Sequence, residues 1–124
     1  MQKLRYSFVL ITGLLFLFSA CEYKFIEPKD PNIDPDQTIS FSSDIIPIFE
    51  DKCVDCHSPS GTVVSLEAGD AYNNILGGGL VDTENPDQSI IYTKAEPNAS
   101  HAALYSVDEA GTVLLWIQQG AENN

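Results

Sequence analysis

Residues 41–124 predict an all-α domain of four short helices, and three features lead there. Apolar residues recur at helical spacing in four separate stretches. Each stretch opens on a residue suited to cap or start a helix. No parallel-sheet pattern and no internal repeat is visible. A chain of 124 residues is expected to hold one folded domain.

The first helix is expected with Asp44 as its N-cap. That places Pro47 at the third helical position, where its missing N–H costs no intrahelical bond. Phe41, Ile45, Ile48 and Phe49 form the apolar stripe. The second helix is expected from Ser65 to about Leu76, with Ala68, Ala71, Tyr72 and Ile75 on one face. Gly77-Gly78-Gly79 ends it. The third is short, with Asn85 as N-cap and Pro86 at the first helical position. Ile90 and Ile91 are expected to face inward. The last opens on a capping box, Ser106-Val107-Asp108-Glu109. Ala110, Val113, Leu114 and Ile117 form its inner stripe, Trp116 lies beside it and Gly120 closes it. Short helices over so few residues make a thin core, and small chains often need a metal, disulfides or a cofactor to hold together. Something is expected at the centre.

The segment before the domain reads as an address. Residues 1–20 carry Lys3 and Arg5, an apolar run over Phe8–Phe18, and the small pair Ser19-Ala20 leading to Cys21. The run is short for a membrane span, which takes about 20 apolar residues. Phe18-Ser19-Ala20-Cys21 resembles a bacterial lipoprotein box, with Phe18 where leucine is usual. The resemblance implies that Cys21 is lipid-modified and becomes the mature N-terminus. The protein would then sit in the bacterial cell envelope, anchored to a membrane and facing the periplasm or the exterior. Residues 21–40, with Pro28, Pro31 and Pro35, read as a lipid-anchored, Pro-rich linker. Fully extended, it would reach at most about 65 Å.

Charge narrows the partners. The net charge is −12, and without residues 1–20 the chain carries 18 acids against 4 lysines, a net of −14. Such a surface repels nucleic acid and favours proteins with basic patches, besides keeping a small protein soluble. The three cysteines, Cys21, Cys53 and Cys56, are an odd number and argue against a disulfide framework.

Cys53-Val54-Asp55-Cys56-His57 carries the chemistry. C-x-x-C-H is the attachment signature of c-type haem. On a helix, positions i, i+3 and i+4 share a face, and Cys53, Cys56 and His57 stand at those offsets. Two thiols can add to the two haem vinyl groups while the imidazole reaches the iron. Three other readings compete. Structural zinc wants four ligands, and no second C-x-x-C or H-x-x-x-H is present. A thioredoxin-like pair belongs in a βαβ pattern, which is missing. A plain disulfide is the third.

With these residues in view, the chain resembles class I c-type cytochromes, in particular small bacterial lipoprotein forms and the planctomycete-type cytochrome c domain. The resemblance covers about residues 41–124. It rests on the opening DIIPIFEDKCVDCH, on LVDTENPDQSIIY and on the close EAGTVLLWIQQGAENN. It implies a class I cytochrome c-like fold of short helices around one covalent haem c, with the first and last helices packed together. It also implies an electron carrier rather than an enzyme, exchanging electrons with redox partner proteins. His57 would be the proximal iron ligand, and Cys53 and Cys56 the thioether anchors. The family typically supplies methionine as second axial ligand from a loop before the last helix. This chain has only Met1, and in that loop stands His101, its one other histidine. His101 is therefore expected as the distal ligand. Lys94, another lysine, water or nothing are the alternatives. A haem-based sensor or peroxidase-like protein with an open distal site, and a zinc-stabilised interaction module, are the rival functions.

Overall fold

The computed structural model describes residues 31–61 and 63–124. The expected signal, Cys21 and the linker as far as residue 30 lie outside the described residues. All regular structure among the described residues is helical. A π-helical turn, Phe41–Ile45, runs straight into α1, Ile46–Lys52. Then come α2, Ala71–Gly77; a 3-10 turn, Pro86–Gln88; α3, Ile90–Thr93; and α4, Val107–Gln118. No helix among the described residues is long and apolar enough to cross a membrane.

The opening segment starts four residues before the expected cap. Ser40 caps it, its Oγ accepting from the Ser43 N–H at 3.3 Å. Asp44, expected as the cap, instead turns back and accepts from the Ser40 N–H at 2.7 Å. Pro47 therefore sits inside a continuous helical run, at the second position of α1. A proline ring there crowds the carbonyl four residues back, and a π-widened turn directly before it makes room.

The second helix is shorter than the expected Ser65–Leu76, because the residues at its expected start are held by His57 instead. The Val64 carbonyl accepts from the His57 ring at 2.9 Å, and the Leu66 N–H donates to the His57 carbonyl at 2.8 Å. Helical propensity loses to these contacts, and α2 begins only at Ala71. Before α3, Asn85 does not cap; its amide donates to Asp82 Oδ2 at 3.2 Å. Pro86 does take the first position of its turn. Ile91 is buried as expected, whereas Ile90 is 45 % exposed.

The capping box of α4 forms in full, with Ser106 and Glu109 each accepting from the other's backbone N–H. Its buried face is Ala110, Val113, Trp116 and Ile117; Leu114 is only half-buried, and Trp116 takes the central place. Phe41 joins the two ends of the domain. Its ring centroid lies 5.2 Å from those of Tyr72 and Trp116 and 6.3 Å from that of Phe49. Trp116 Nε1 donates to the Glu122 carbonyl at 3.0 Å, so the indole is buried without an orphaned donor.

Residues 31–40, in the segment expected as linker, lie along α4. Asn32 N–H donates to Asp108 Oδ1 at 3.0 Å, Ile39 N–H donates to Gln119 Oε1 at 2.9 Å, and Ile39 is buried. Gly111 seats this strand of chain. A Cβ there would stand 2.6 Å from Pro31 Cβ and 2.7 Å from Ile33 Cδ1.

Candidate functional site

The C-x-x-C-H segment occupies the turn that leaves α1. Cys53 is the C-cap residue, its N–H donating to the Phe49 carbonyl at 2.8 Å. The Cys53 carbonyl then accepts from both Cys56 N–H, at 3.1 Å, and His57 N–H, at 2.8 Å. One helical turn thus links the three residues. Both thiols are free; Cys53 is buried and Cys56 exposed. Burial, with a further push from the Glu109 carboxylate, raises the Cys53 thiol to about 11, partly opposed by Lys52.

Beside this turn lies a cavity of about 420 Å³. Cofactor and ligand sites run from roughly 300 to 1,000 Å³. Leu66, Leu80, Ile91 and Ala95 give it an apolar wall, and Cys53, His57 and His101 break that wall. Lys94 and Tyr105 also line it. Sequence reasoning had no use for Tyr105 and weighed Lys94 only as an iron ligand.

His101 comes from the loop between α3 and α4. The base of that loop is pinned twice: the Tyr105 N–H donates to the Ala95 carbonyl at 2.7 Å, and the Tyr105 hydroxyl donates to the Ile91 carbonyl at 3.1 Å. Burial pushes the Tyr105 hydroxyl far above its ordinary range, so it stays a donor at any physiological pH. The pinned base carries His101 to the same cavity as His57.

The two imidazole centroids lie 6.1 Å apart, with the ring planes 35° from parallel. A metal–imidazole bond of about 2 Å on each side, plus the ring radius on each side, gives about 6 Å across one metal. In both rings Nδ1 faces a backbone carbonyl, Val64 O at 2.9 Å for His57 and Ala103 O at 3.0 Å for His101. A carbonyl can only accept, so each Nδ1 carries a proton, and in the neutral ring the lone pair is left on Nε2. A carbonyl holding the second ring nitrogen is the usual support for a ligating histidine. The centroid separation is that of two imidazoles on either side of one metal.

Of the sequence-predicted residues, the cavity brings together Cys53, His57 and His101; Cys56 stands at the surface, and Cys21 lies outside the described residues. Among the described residues no group of three or more His, Cys, Asp or Glu side chains is placed to hold a metal ion. A bare ion such as zinc would lack its donor set here. A metal that arrives in its own macrocycle needs just the axial donors. The Val64 carbonyl could not have been found from sequence, since every residue has one. Compared with protein-family models, curated proteins and solved structures, the chain matches none of them.

Proposed function

We propose that this chain is a monohaem c-type cytochrome lipoprotein, an electron carrier held to a membrane of the bacterial cell envelope by lipid on Cys21. The observation that carries the reading is the pair His57 and His101, facing one apolar cavity at the spacing of a single metal, with Cys53 in the same wall. Bound here, haem would supply the one-electron redox couple. The protein's part is to hold and tune it. Cys53 and Cys56 would anchor it through thioethers, His57 would be the proximal ligand and His101 the distal one. The Val64 and Ala103 carbonyls fix both rings in the tautomer that binds metal. Leu66, Leu80 and Ile91 keep water from one face of the cavity, and burial of this kind sets the potential together with the ligands. An electron carrier needs no substrate pocket, only access for redox partners. The net charge of −14 after residue 20 suits partners with a basic docking patch.

The test is a haem-stained denaturing gel of protein made with a haem-attachment system. A stained band at the mature size is expected, and mass spectrometry of the same band from the native host should find lipid on Cys21. A denatured chain free of iron would remove the cytochrome reading, and an unmodified mature Cys21 would remove the anchor.

A further inference from the structure

Lys94 stands apart among the cations of the described residues. From residue 31 onward the chain has two lysines, Lys52 and Lys94, and no arginine. Of the 18 acids in the chain, all but Glu22, Glu27 and Asp30 lie in that same stretch. Lys52 is engaged, with Nζ 2.7 Å from Asp51 and 3.7 Å from Glu109. Lys94 makes no ion pair among the described residues, in spite of that surplus of acids, and it lines the apolar cavity.

Its backbone is fixed where the cavity wall meets the His101 loop. The Lys94 N–H donates to the Ile90 carbonyl at 3.1 Å, and the next residue, Ala95, is buried with its carbonyl bound by Tyr105. Placement at the end of α3 does not account for it, because a helix of four residues has little dipole to complement. Lys94 is exposed while it contributes to the cavity lining, and an exposed cation beside an apolar cavity matches a ligand with an apolar body and an anionic edge. Haem has that form: vinyl groups on one edge and two propionate carboxylates on the other.

We infer that Lys94 binds a propionate of the haem, fixing the edge that the thioethers leave free; the inference rests on the proposed cytochrome reading. A charge-assisted contact of this kind orients a carboxylate more firmly than water does. The ammonium also places a positive charge beside the macrocycle, which favours Fe(II) over Fe(III).

The experiment uses the holoprotein with haem carrying carbon-13 in its carboxylates. Redox-difference infrared spectra then pick out the propionate bands by their isotope shift. In Lys94→Gln the labelled bands should move and the reduction potential fall; in Lys94→Arg both should stay near the parent values. Labelled bands in Lys94→Gln that superimpose on those of the parent would overturn the contact, even if the potential moved, since a distant charge would do that much. Protein without haem absorption has no labelled bands at all, and that result would remove the parent reading instead.

Discussion

Replacing His101 with alanine should change the iron while leaving the polypeptide almost as stable as before. The side chain is exposed, and its one hydrogen bond among the described residues is the local contact from Nδ1 to the Ala103 carbonyl, at 3.0 Å. An exposed substitution of this kind usually moves stability by no more than about 0.5 kcal/mol. For a domain of this size that is a melting shift of roughly 2–4 °C. On the proposed reading the change at the iron would be all or none: the 6.1 Å between ring centroids is the spacing of two imidazoles about one metal, and alanine would empty one coordination position. The parent holoprotein should be low-spin, without the far-red band that methionine sulfur gives, and closed to carbon monoxide. His101→Ala should be high-spin and bind carbon monoxide or cyanide. His101→Met should raise the potential, as methionine ligation does. Absorption spectra of the oxidised, reduced and carbonyl forms make the comparison, with the melting curve as control. A parent that already binds carbon monoxide readily, and a His101→Ala variant with the same spectrum, would show that the distal position is open and favour the sensor or peroxidase-like alternative.

Cys53 gives a pH prediction for the haem-free chain. Its folded value, raised from 9.0 to about 11, stabilises the fold below pH 9, and that contribution is lost as pH rises towards 11. The urea midpoint of the haem-free chain should fall over that window, and a flat profile would count against burial of the thiol. Near pH 8 Cys53 should hold roughly a hundredfold less thiolate than the unfolded chain, so exposed Cys56 should alkylate first. Ser106→Ala, which removes half of the α4 capping box, should cost about 1 kcal/mol in a urea titration, and an unchanged midpoint would mean that the cap contributes nothing. With a true redox partner the electron-transfer rate should drop as salt rises, because screening weakens steering by the net charge of −14 after residue 20; a rate independent of ionic strength would exclude charge steering.

The helical class and the capping box of α4 were legible because they depend on local chemistry: Ser106 and Glu109 sit three residues apart and need nothing else. Boundaries were legible only where no distant partner intervened. The second helix lost its first turns to His57, whose ring and carbonyl draw residues 64–66 into extended contact. Asp44 lost the cap to Ser40, because a run containing Pro47 could begin earlier once a π turn relieved the ring. Of the site, the spacing of Cys53, Cys56 and His57 was visible in five consecutive residues. That His57 and His101 meet across 44 positions could be anticipated only from the resemblance, since no spacing rule reaches so far. The role inferred for Lys94 depends on what Lys52 does with Asp51 and Glu109, a matter of side-chain neighbours rather than order along the chain.

The seat that Gly111 provides for Pro31 and Ile33 bears on how the domain explores its surroundings. Glycine in mid-helix gives up about 1 kcal/mol relative to alanine, and here the missing Cβ is the space into which the two residues settle. If Cys21 carries lipid as proposed, ten residues would separate the anchor from Pro31, a reach of at most about 35 Å. A domain so anchored would be tethered from the start of α4, at less than the reach of the whole expected linker. A tether of that length would hold it at an effective concentration on the order of millimolar toward anything on the same membrane. A partner fixed nearby is met again and again without a diffusive search, so even a weak, fast-dissociating encounter between the two suffices for exchange.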